Sequence, residues 1–200
     1  MSSELLVVRL ERPLMEEEAA RLRNFLPEER KLRLARVLRP EKQAQVLCAY
    51  GLLNRVLRER YGWRKLPDMA LELQGKPYFP EYPSVQFSLS HTDGAAIAGV
   101  SDEPIGVDIE KYRRVSARLR ERLAPGATGE RFFQDWVRRE SFAKRTGRGI
   151  ADLMESDAPQ EGAFALLQTF PGYFAGAACT DAAPDMARLC SLEELVEFLR

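Results

Sequence analysis

The hydrophobic and polar residues of the chain follow two periods, one of about 3.6 residues and one of two. The helical period predicts helices over residues 15–25, 27–38, 40–61 and 130–144, a charged helical stretch from 112 to about 123, and a short last helix after the capping-box spacing of Ser191 and Glu194. Alternation and short apolar runs predict strands over residues 4–10, 69–73, 85–89, 95–100, 105–110, 163–169 and 173–179. Helices packed on short, mostly antiparallel strands in two successive sets predict an α+β fold with two lobes.

The strand predicted over residues 105–110 places two carboxylates side by side. Its three β-branched residues share one face, whereas Gly106, Asp108 and Glu110 share the other. Two acids at this spacing repel each other unless a cation lies between them. Because Gly106 has no side chain, the face stays open, and a ligand or another backbone can approach it closely.

A second group of chemically active residues lies on the helix predicted over residues 130–144. Four residues share one face of this helix: Phe133, Trp136, Glu140 and Lys144. The aromatic pair must face the core, so the acid and the base are directed inward with it. Taken alone, such an acid–base pair is typical of a solvated helix, and the strand acids are typical of a solvated edge. Taken together, three inward carboxylates and a lysine predict a hard-cation site that handles phosphate.

The composition is that of a soluble globular protein, 45% hydrophobic and 30% charged. Its 30 Lys and Arg residues balance its 30 Asp and Glu residues, and this zero net charge argues against a general nucleic-acid-binding protein. The charge is unevenly spread, with one basic cluster over residues 30–39 and another over residues 113–122. Each cluster is either a solvated helix face or a site for an anionic partner.

The cysteines and the apolar runs indicate where the protein resides. Cys48, Cys179 and Cys190 lie in apolar surroundings without metal-ligand spacing, which predicts buried free thiols in a reducing compartment. The first residues become charged too early for a signal peptide, and no apolar run is long enough to span a bilayer. We therefore expect a cytoplasmic protein that does not bind a membrane.

Several other chemistries are disfavoured. The chain has a single histidine, His91, which excludes zinc sites built on histidine pairs. A Ser-His-Asp triad with Ser88 or Ser90 is a poor interpretation, because neighbouring strand residues point to opposite faces and no Gly-x-Ser-x-Gly elbow occurs. The run from Asp108 to Lys111 is superficially similar to a metal-dependent nuclease core, but such cores place the first acid well upstream.

Four motifs in this order resemble the 4′-phosphopantetheinyl transferase superfamily, in its two-lobed surfactin-synthetase-activator type. They are Gly75-Lys76-Pro77, Phe87-Ser88-Leu89-Ser90-His91, Gly106-Val107-Asp108-Ile109-Glu110 and Trp136-Val137-Arg138-Arg139-Glu140-Ser141-Phe142-Ala143-Lys144. The resemblance covers most of the chain and implies two similar lobes (a pseudo-dimer), each with a small, mostly antiparallel sheet packed against helices. Residues 1–104 would form the N-terminal lobe with the coenzyme A-binding elements, and residues 105–200 the C-terminal lobe with the metal-binding and catalytic elements, with the active site between them.

The resemblance implies an enzyme that transfers 4′-phosphopantetheine from coenzyme A to a serine of an apo acyl or peptidyl carrier protein, with Mg²⁺ as cofactor and adenosine 3′,5′-bisphosphate as product. Asp108, Glu110 and Glu140 would hold the magnesium ion, which would neutralise the charge that grows on the pyrophosphate. Glu140 would also act as general base towards the serine, and Lys144 would steady or protonate the leaving phosphate. The implied coenzyme A contacts are Lys42, Lys76, Ser90, His91 and Asp108.

The chain also departs from the family pattern. Where an arginine for the 3′-phosphate is expected, the chain has Lys42 and Gln45, and the basic cluster over residues 30–39 is an alternative site for that phosphate. Arg139 replaces the usual lysine before the motif glutamate. A non-catalytic carrier-protein-binding homologue is the remaining rival, disfavoured because all the candidate acids and Lys144 are present. We expect a monomer.

Overall fold

The protein is described by a computed structural model that covers residues 3–148 and 161–199, and its fold is α+β as the sequence predicts. The described helices are α1 (Glu16–Asn24), α2 (Glu28–Ala35), α3 (Pro40–Tyr61), α4 (Ala117–Leu123), α5 (Gly129–Thr146) and α6 (Leu192–Phe198). The described strands are β1 (Glu4–Arg9), β2 (Ala70–Leu71), β3 (Pro77–Tyr78), β4 (Gln86–Thr92), β5 (Ala95–Ser101), β6 (Gly106–Lys111), β7 (Ala163–Leu167), β8 (Tyr173–Cys179) and β9 (Arg188–Cys190). Each predicted helix and strand is present, and β3 and β9 are additional elements.

The described strands form three small sheets. The first has the order β4-β5-β1-β9, the second pairs β2 with β3, and the third has the order β6-β8-β7. All these pairs are antiparallel except β1 with β9, which run parallel with Val7 opposite Leu189. The strands β4 and β6 are therefore edge strands of different sheets.

Strands β1 and β5 are covered on both faces, because the first sheet lies between two hydrophobic cores. Leu6 and Val8 of β1 pack with α3 in the first core, whereas Leu5 and Val7 pack with the apolar face of β6 in the second. Burial on both faces explains why the alternation in this strand is weak. The apolar face predicted for β6 is confirmed, since Val107 and its β-branched neighbours are buried in the second core.

The last described elements return to the first sheet. β9 extends that sheet beyond β1, and the apolar residues of α6 join the first core. The predicted capping box is confirmed: the Glu194 amide donates to Ser191 Oγ at 3.0 Å, and the Ser191 amide donates to Glu194 Oε2 at 2.8 Å. The strand β9 is not predictable from the sequence, because three residues are too short to establish an alternating pattern.

The strand predicted over residues 69–73 is much shorter than expected. A turn begins at Glu72, whose amide donates to the Lys76 carbonyl at 2.9 Å, and Gly75 takes a positive φ of 92° within it. Gly75 and Lys76 of the Gly-Lys-Pro motif therefore lie in the connection between β2 and β3, and Pro77 begins β3. The prediction that the three cysteines are buried free thiols is confirmed. Among the described helices, none is both long enough and apolar enough to cross a membrane.

Helix α5 crosses β6 at Gly106. A Cβ at this position would lie 3.0 Å from Arg145 Cα and closer still to the Ser141 carbonyl oxygen and the Arg145 nitrogen. All three atoms belong to the backbone of α5, so they cannot move aside as a side chain would. Of the two alternatives that the sequence left open at Gly106, the close approach of another backbone is the one observed.

We expect Gly106→Ala to destabilise the protein by at least about 2 kcal/mol, because the new methyl group forces α5 away from β6. Denaturant unfolding measures this loss. Gly99→Ala is the matched control, since the three atoms nearest to a Cβ at this strand glycine belong to the side chains of Leu5, Val107 and Ile105 and not to a backbone. Equal losses for the two variants would contradict the close backbone contact.

Candidate active site

Hydroxyl side chains join β4 to β6, although these strands belong to different sheets. We call Ser88, Ser90 and Thr92 the hydroxyl seam. Ser88 Oγ accepts a hydrogen bond from the Val107 amide at 3.0 Å, and Thr92 Oγ1 accepts one from the Lys111 amide at 3.3 Å. The partners advance along both strands in the same direction, so β4 and β6 run parallel at this contact. The seam therefore fixes the register of β6 against β4.

Asp108 is held by two donors on one of its oxygens. Ser90 Oγ donates to Asp108 Oδ1 at 2.7 Å, and Lys144 Nζ donates to the same oxygen at 2.7 Å. The other oxygen, Oδ2, is buried and has no hydrogen-bond partner among the described residues. The residue as a whole is 4% exposed. A buried carboxylate oxygen without a partner is costly, so this oxygen is suited to receive a ligand.

Glu110 lies two residues further along the same face and has a different set of partners. Arg113 Nη1 donates to Glu110 Oε2 at 2.6 Å, and Trp136 Nε1 donates to Oε1 at 3.3 Å. Thr92 of the hydroxyl seam contributes a long contact of 3.5 Å to Oε2. The predicted alignment of α5 with the acidic face of β6 is thus observed, because Trp136 contacts Glu110 and Lys144 contacts Asp108.

Glu140 lies on α5 between these two contacts. Burial raises the pKa of Glu140 to about 7, the charges of Asp108 and Glu110 raise it as well, and Lys144 lowers it. The three carboxylates named by the sequence therefore share one electrostatic environment. A carboxyl group with a pKa near neutral is suited to accept and release a proton at physiological pH.

A cavity of about 420 Å³ lies beside these acids. It is lined from α2, α3, the β2–β3 turn, β4 and α5, and the charged or titratable residues in its wall include Arg30, Arg33, Lys76, His91, Glu140 and Lys144. The His91 imidazole borders solvent, but desolvation and the charges of Lys42 and Lys144 together lower its pKa to about 4, against the opposing effect of Asp108. The imidazole is therefore neutral at pH 7, so one ring nitrogen is a donor and the other an acceptor.

The two lysines among the predicted coenzyme A contacts have protein partners of their own. Lys76 Nζ donates to the Arg145 carbonyl at 2.7 Å, near the end of α5, and burial lowers its pKa. Lys42 Nζ donates to Gln45 Oε1 at 3.2 Å and does not line the cavity. The structure thus brings Lys76, His91, Glu140 and Lys144 to one cavity, with Asp108 bound to Lys144, and leaves Lys42 outside its wall.

Arg30 is a site residue that the sequence indicated only as one member of a basic cluster. It is 7% exposed and lines the cavity, and its Nε and Nη2 atoms have no hydrogen-bond partner within residues 3–148 and 161–199. A buried guanidinium group with two unpartnered nitrogen atoms is costly, which points to an anionic ligand. Its position in the helix was the available indication of burial, because Arg30 lies four residues before Leu34, on the buried face of α2.

The donors at this site fit a divalent cation by their chemistry. As the side chains stand, no three His, Cys, Asp or Glu residues of the described part of the chain are grouped closely enough to hold one ion. The buried, unpartnered Oδ2 of Asp108 is nevertheless a vacant acceptor, and the mutual repulsion with Glu110 and Glu140 is relieved by positive charge. Carboxylate oxygens are the ligands that magnesium prefers.

The raised pKa of Glu140 predicts how stability depends on pH without metal. Between its ordinary pKa of 4.5 and about 7, the folded state binds more protons than the unfolded state, so this group lowers stability as pH rises through that window. In EDTA, Glu140→Gln should stabilise the protein by about 1–2 kcal/mol at pH 8, with little difference at pH 5. Thermal unfolding at the two pH values measures the effect, and a variant equally stabilised at both would contradict it.

Sequence comparisons identify the relatives of this chain. It is 30% identical over 161 residues to the 4′-phosphopantetheinyl transferase ffp of Bacillus subtilis, which covers 74% of this chain and 71% of that protein. It is 29% identical over 161 residues to the 4′-phosphopantetheinyl transferase Sfp of Bacillus subtilis strain 168, and this match covers 74% of this chain and 71% of that protein. It is 25% identical over 162 residues to another 4′-phosphopantetheinyl transferase of Bacillus subtilis, and this match covers 74% of this chain and 72% of that protein. No protein-family model matches the chain. The chain therefore belongs to the 4′-phosphopantetheinyl transferase family of enzymes, in the Sfp type.

Proposed function

We propose that this enzyme transfers 4′-phosphopantetheine from coenzyme A to a serine hydroxyl of an apo acyl or peptidyl carrier protein. The observation that carries the proposal is the cavity whose wall combines basic side chains with Glu140, next to Asp108. Basic groups suit the phosphates of a nucleotide, and a carboxylate beside them suits proton removal from a hydroxyl, directly or through water. The names of the relatives support the same reaction.

The reaction exchanges one phosphorus–oxygen bond for another. The serine oxygen of the carrier forms a bond to the phosphorus that bears the pantetheine arm, and the bond from that phosphorus to the bridging oxygen breaks. Adenosine 3′,5′-bisphosphate leaves with the bridging oxygen. Glu140 accepts the serine proton, directly or through water, and Lys144 donates a hydrogen bond or a proton to the departing phosphate.

We assign a magnesium ion to Asp108, Glu110 and Glu140. When bound, it supplies positive charge for the pyrophosphate oxygens. Hydrogen bonds from neighbouring side chains would orient two of its carboxylate ligands. Lys144 and Ser90 hold Asp108, Arg113 and Trp136 hold Glu110, and His91 offers a neutral donor from the cavity wall.

The carrier protein is proposed to approach beside Glu110, over α4 and the residues before it. No residue of α4 is buried, and basic side chains cluster there. Arg113 is half-exposed, pairs with Glu110 and lies 5.7 Å from the centre of the Phe133 ring. Carriers of this kind are expected to be acidic, so these arginines would steer their encounter. A monomeric, cytoplasmic enzyme without nucleic-acid partners stays a prediction.

We also propose the two-lobed arrangement. The support is topological, because the strand order is β1-β5-β4 in the first half and β6-β8-β7 in the second. In both halves, the strand that comes last in the chain lies in the sheet between the other two. In each half, helices separate the first strand from the hairpin that follows. The division at residue 104 separates these two sets, and the segment from Arg188 onward returns to the first set.

We expect Asp108→Ala and Glu140→Ala each to abolish carrier modification while the protein stays folded, because each variant loses a carboxylate of the proposed metal and proton-transfer site. Intact-mass analysis of candidate apo carriers incubated with enzyme, coenzyme A and Mg²⁺ measures the added phosphopantetheine. Asp135→Ala is the matched control, since this α5 acid pairs with Arg131. Near-normal turnover of either site variant in saturating Mg²⁺ would contradict the site.

We expect Arg30 to bind the 3′-phosphate of coenzyme A. Arg30→Met should weaken coenzyme A binding by about 1.5–3 kcal/mol, the contribution of a charge-assisted hydrogen bond, and should leave binding of 3′-dephospho-coenzyme A nearly unchanged. Isothermal titration calorimetry with both ligands measures the difference. Arg33→Met is the control with a smaller expected loss, because half-exposed Arg33 already pairs with Glu29. Equal weakening of both ligands by Arg30→Met would place the 3′-phosphate elsewhere.

A further inference from the structure

We propose that Ser90 is a positioning residue, which fixes Asp108 so that its two oxygens have different tasks. Oδ1 receives the hydrogen bonds from Ser90 and Lys144 and keeps the carboxylate in place. Oδ2 has no partner among the described residues and is left for the cation. This inference deepens the proposed function and rests on its metal assignment to Asp108.

The hydrogen-bonding capacity of Ser90 supports this role. A serine hydroxyl has a single proton to donate, and Ser90 donates it to Asp108 Oδ1 at 2.7 Å. Both residues are buried, at 6% and 4% exposure, so water does not compete for this bond. The hydroxyl thus cannot at the same time donate to a phosphate of coenzyme A, which is the role that the family resemblance implies for this position.

Orientation of Asp108 and contact with coenzyme A fall to two consecutive residues of β4, Ser90 and His91. His91 lines the cavity and keeps a neutral imidazole for the ligand, whereas Ser90 is not part of the cavity wall. Ser90 is the middle residue of the hydroxyl seam, and it is held in register by the bonds of Ser88 and Thr92 to the backbone of β6. Carboxylates that bind metals are commonly oriented by such outer hydrogen bonds, and their loss typically lowers metal affinity by about 10–100-fold.

The test compares metal and coenzyme A binding of Ser90→Ala with those of the wild type. Mn²⁺ affinity, measured by electron paramagnetic resonance without coenzyme A, should fall about tenfold or more in the variant. Coenzyme A affinity, measured by calorimetry in EDTA, should change less than twofold. Ser90→Thr keeps a hydroxyl at this position and should retain most of the Mn²⁺ affinity.

Ser88→Ala is the matched control for a purely structural effect. It removes a hydroxyl from the same strand and the same seam, but that hydroxyl contacts a backbone amide and no carboxylate. Both alanine variants should lower the melting temperature, whereas only Ser90→Ala should lower the Mn²⁺ affinity.

Two results would overturn the inference: an unchanged Mn²⁺ affinity in Ser90→Ala, or a loss of coenzyme A affinity in EDTA without a loss of metal affinity. A wild-type protein that binds no Mn²⁺ would overturn it as well. A wild type that binds Mn²⁺, shows the expected loss in Ser90→Ala and modifies no carrier would overturn only the proposed function.

Discussion

The hydroxyl seam between β4 and β6 is the constraint on which the arrangement of the site depends. Edge strands of separate sheets have no shared backbone ladder to set their register, and a slip of one residue along β6 would exchange its acidic and apolar faces. Ser88 and Thr92 together oppose this slip by binding two backbone amides of β6, in addition to the pairing of β6 with β8, and Ser90 binds a carboxylate between them. The same register that buries Val107 in the core therefore directs Asp108 towards α5.

The acids of the site are balanced by protein cations to different degrees. Lys144 pairs with Asp108 at 2.7 Å and Arg113 with Glu110 at 2.6 Å. Glu140 faces the remaining repulsion, and together with burial this keeps its pKa near 7. Positive charge that enters this site, as a cation or a proton, is thus accommodated first at Glu140, the acid that the protein's own cations balance least.

The sequence predicted the parts of the site that depend on local periodicity. The period of two on β6 and the helical period on α5 correctly brought Asp108, Glu110 and Lys144 together, because both elements pack by the faces that their apolar residues define. The ends of α3 were also predictable, since proline begins this helix and Gly62, with a φ of 72°, ends it. The fold class followed from the order of the elements.

The features that could not be predicted from the sequence depend on contacts between distant segments. The seam joins residues 18 or 19 positions apart across two sheets, and a serine on a strand has many other possible partners. For Arg30, the sequence left open whether its basic cluster is solvated or binds an anion, because charge alone does not show burial, although the spacing to Leu34 placed this arginine on the inward face. The strand β9 has only three residues, and its partner β1 lies at the other end of the described chain.

The pairing of β1 with β9 has a consequence for the synthesis of the protein. Residues 6–8 are synthesised long before their parallel neighbours, residues 188–190. Until residues 188–190 emerge, that side of β1 is therefore an open strand edge, of the kind that pairs with other chains. In the finished fold β9 covers this edge, so residues 188–190 protect residues 6–8 from pairing with other chains.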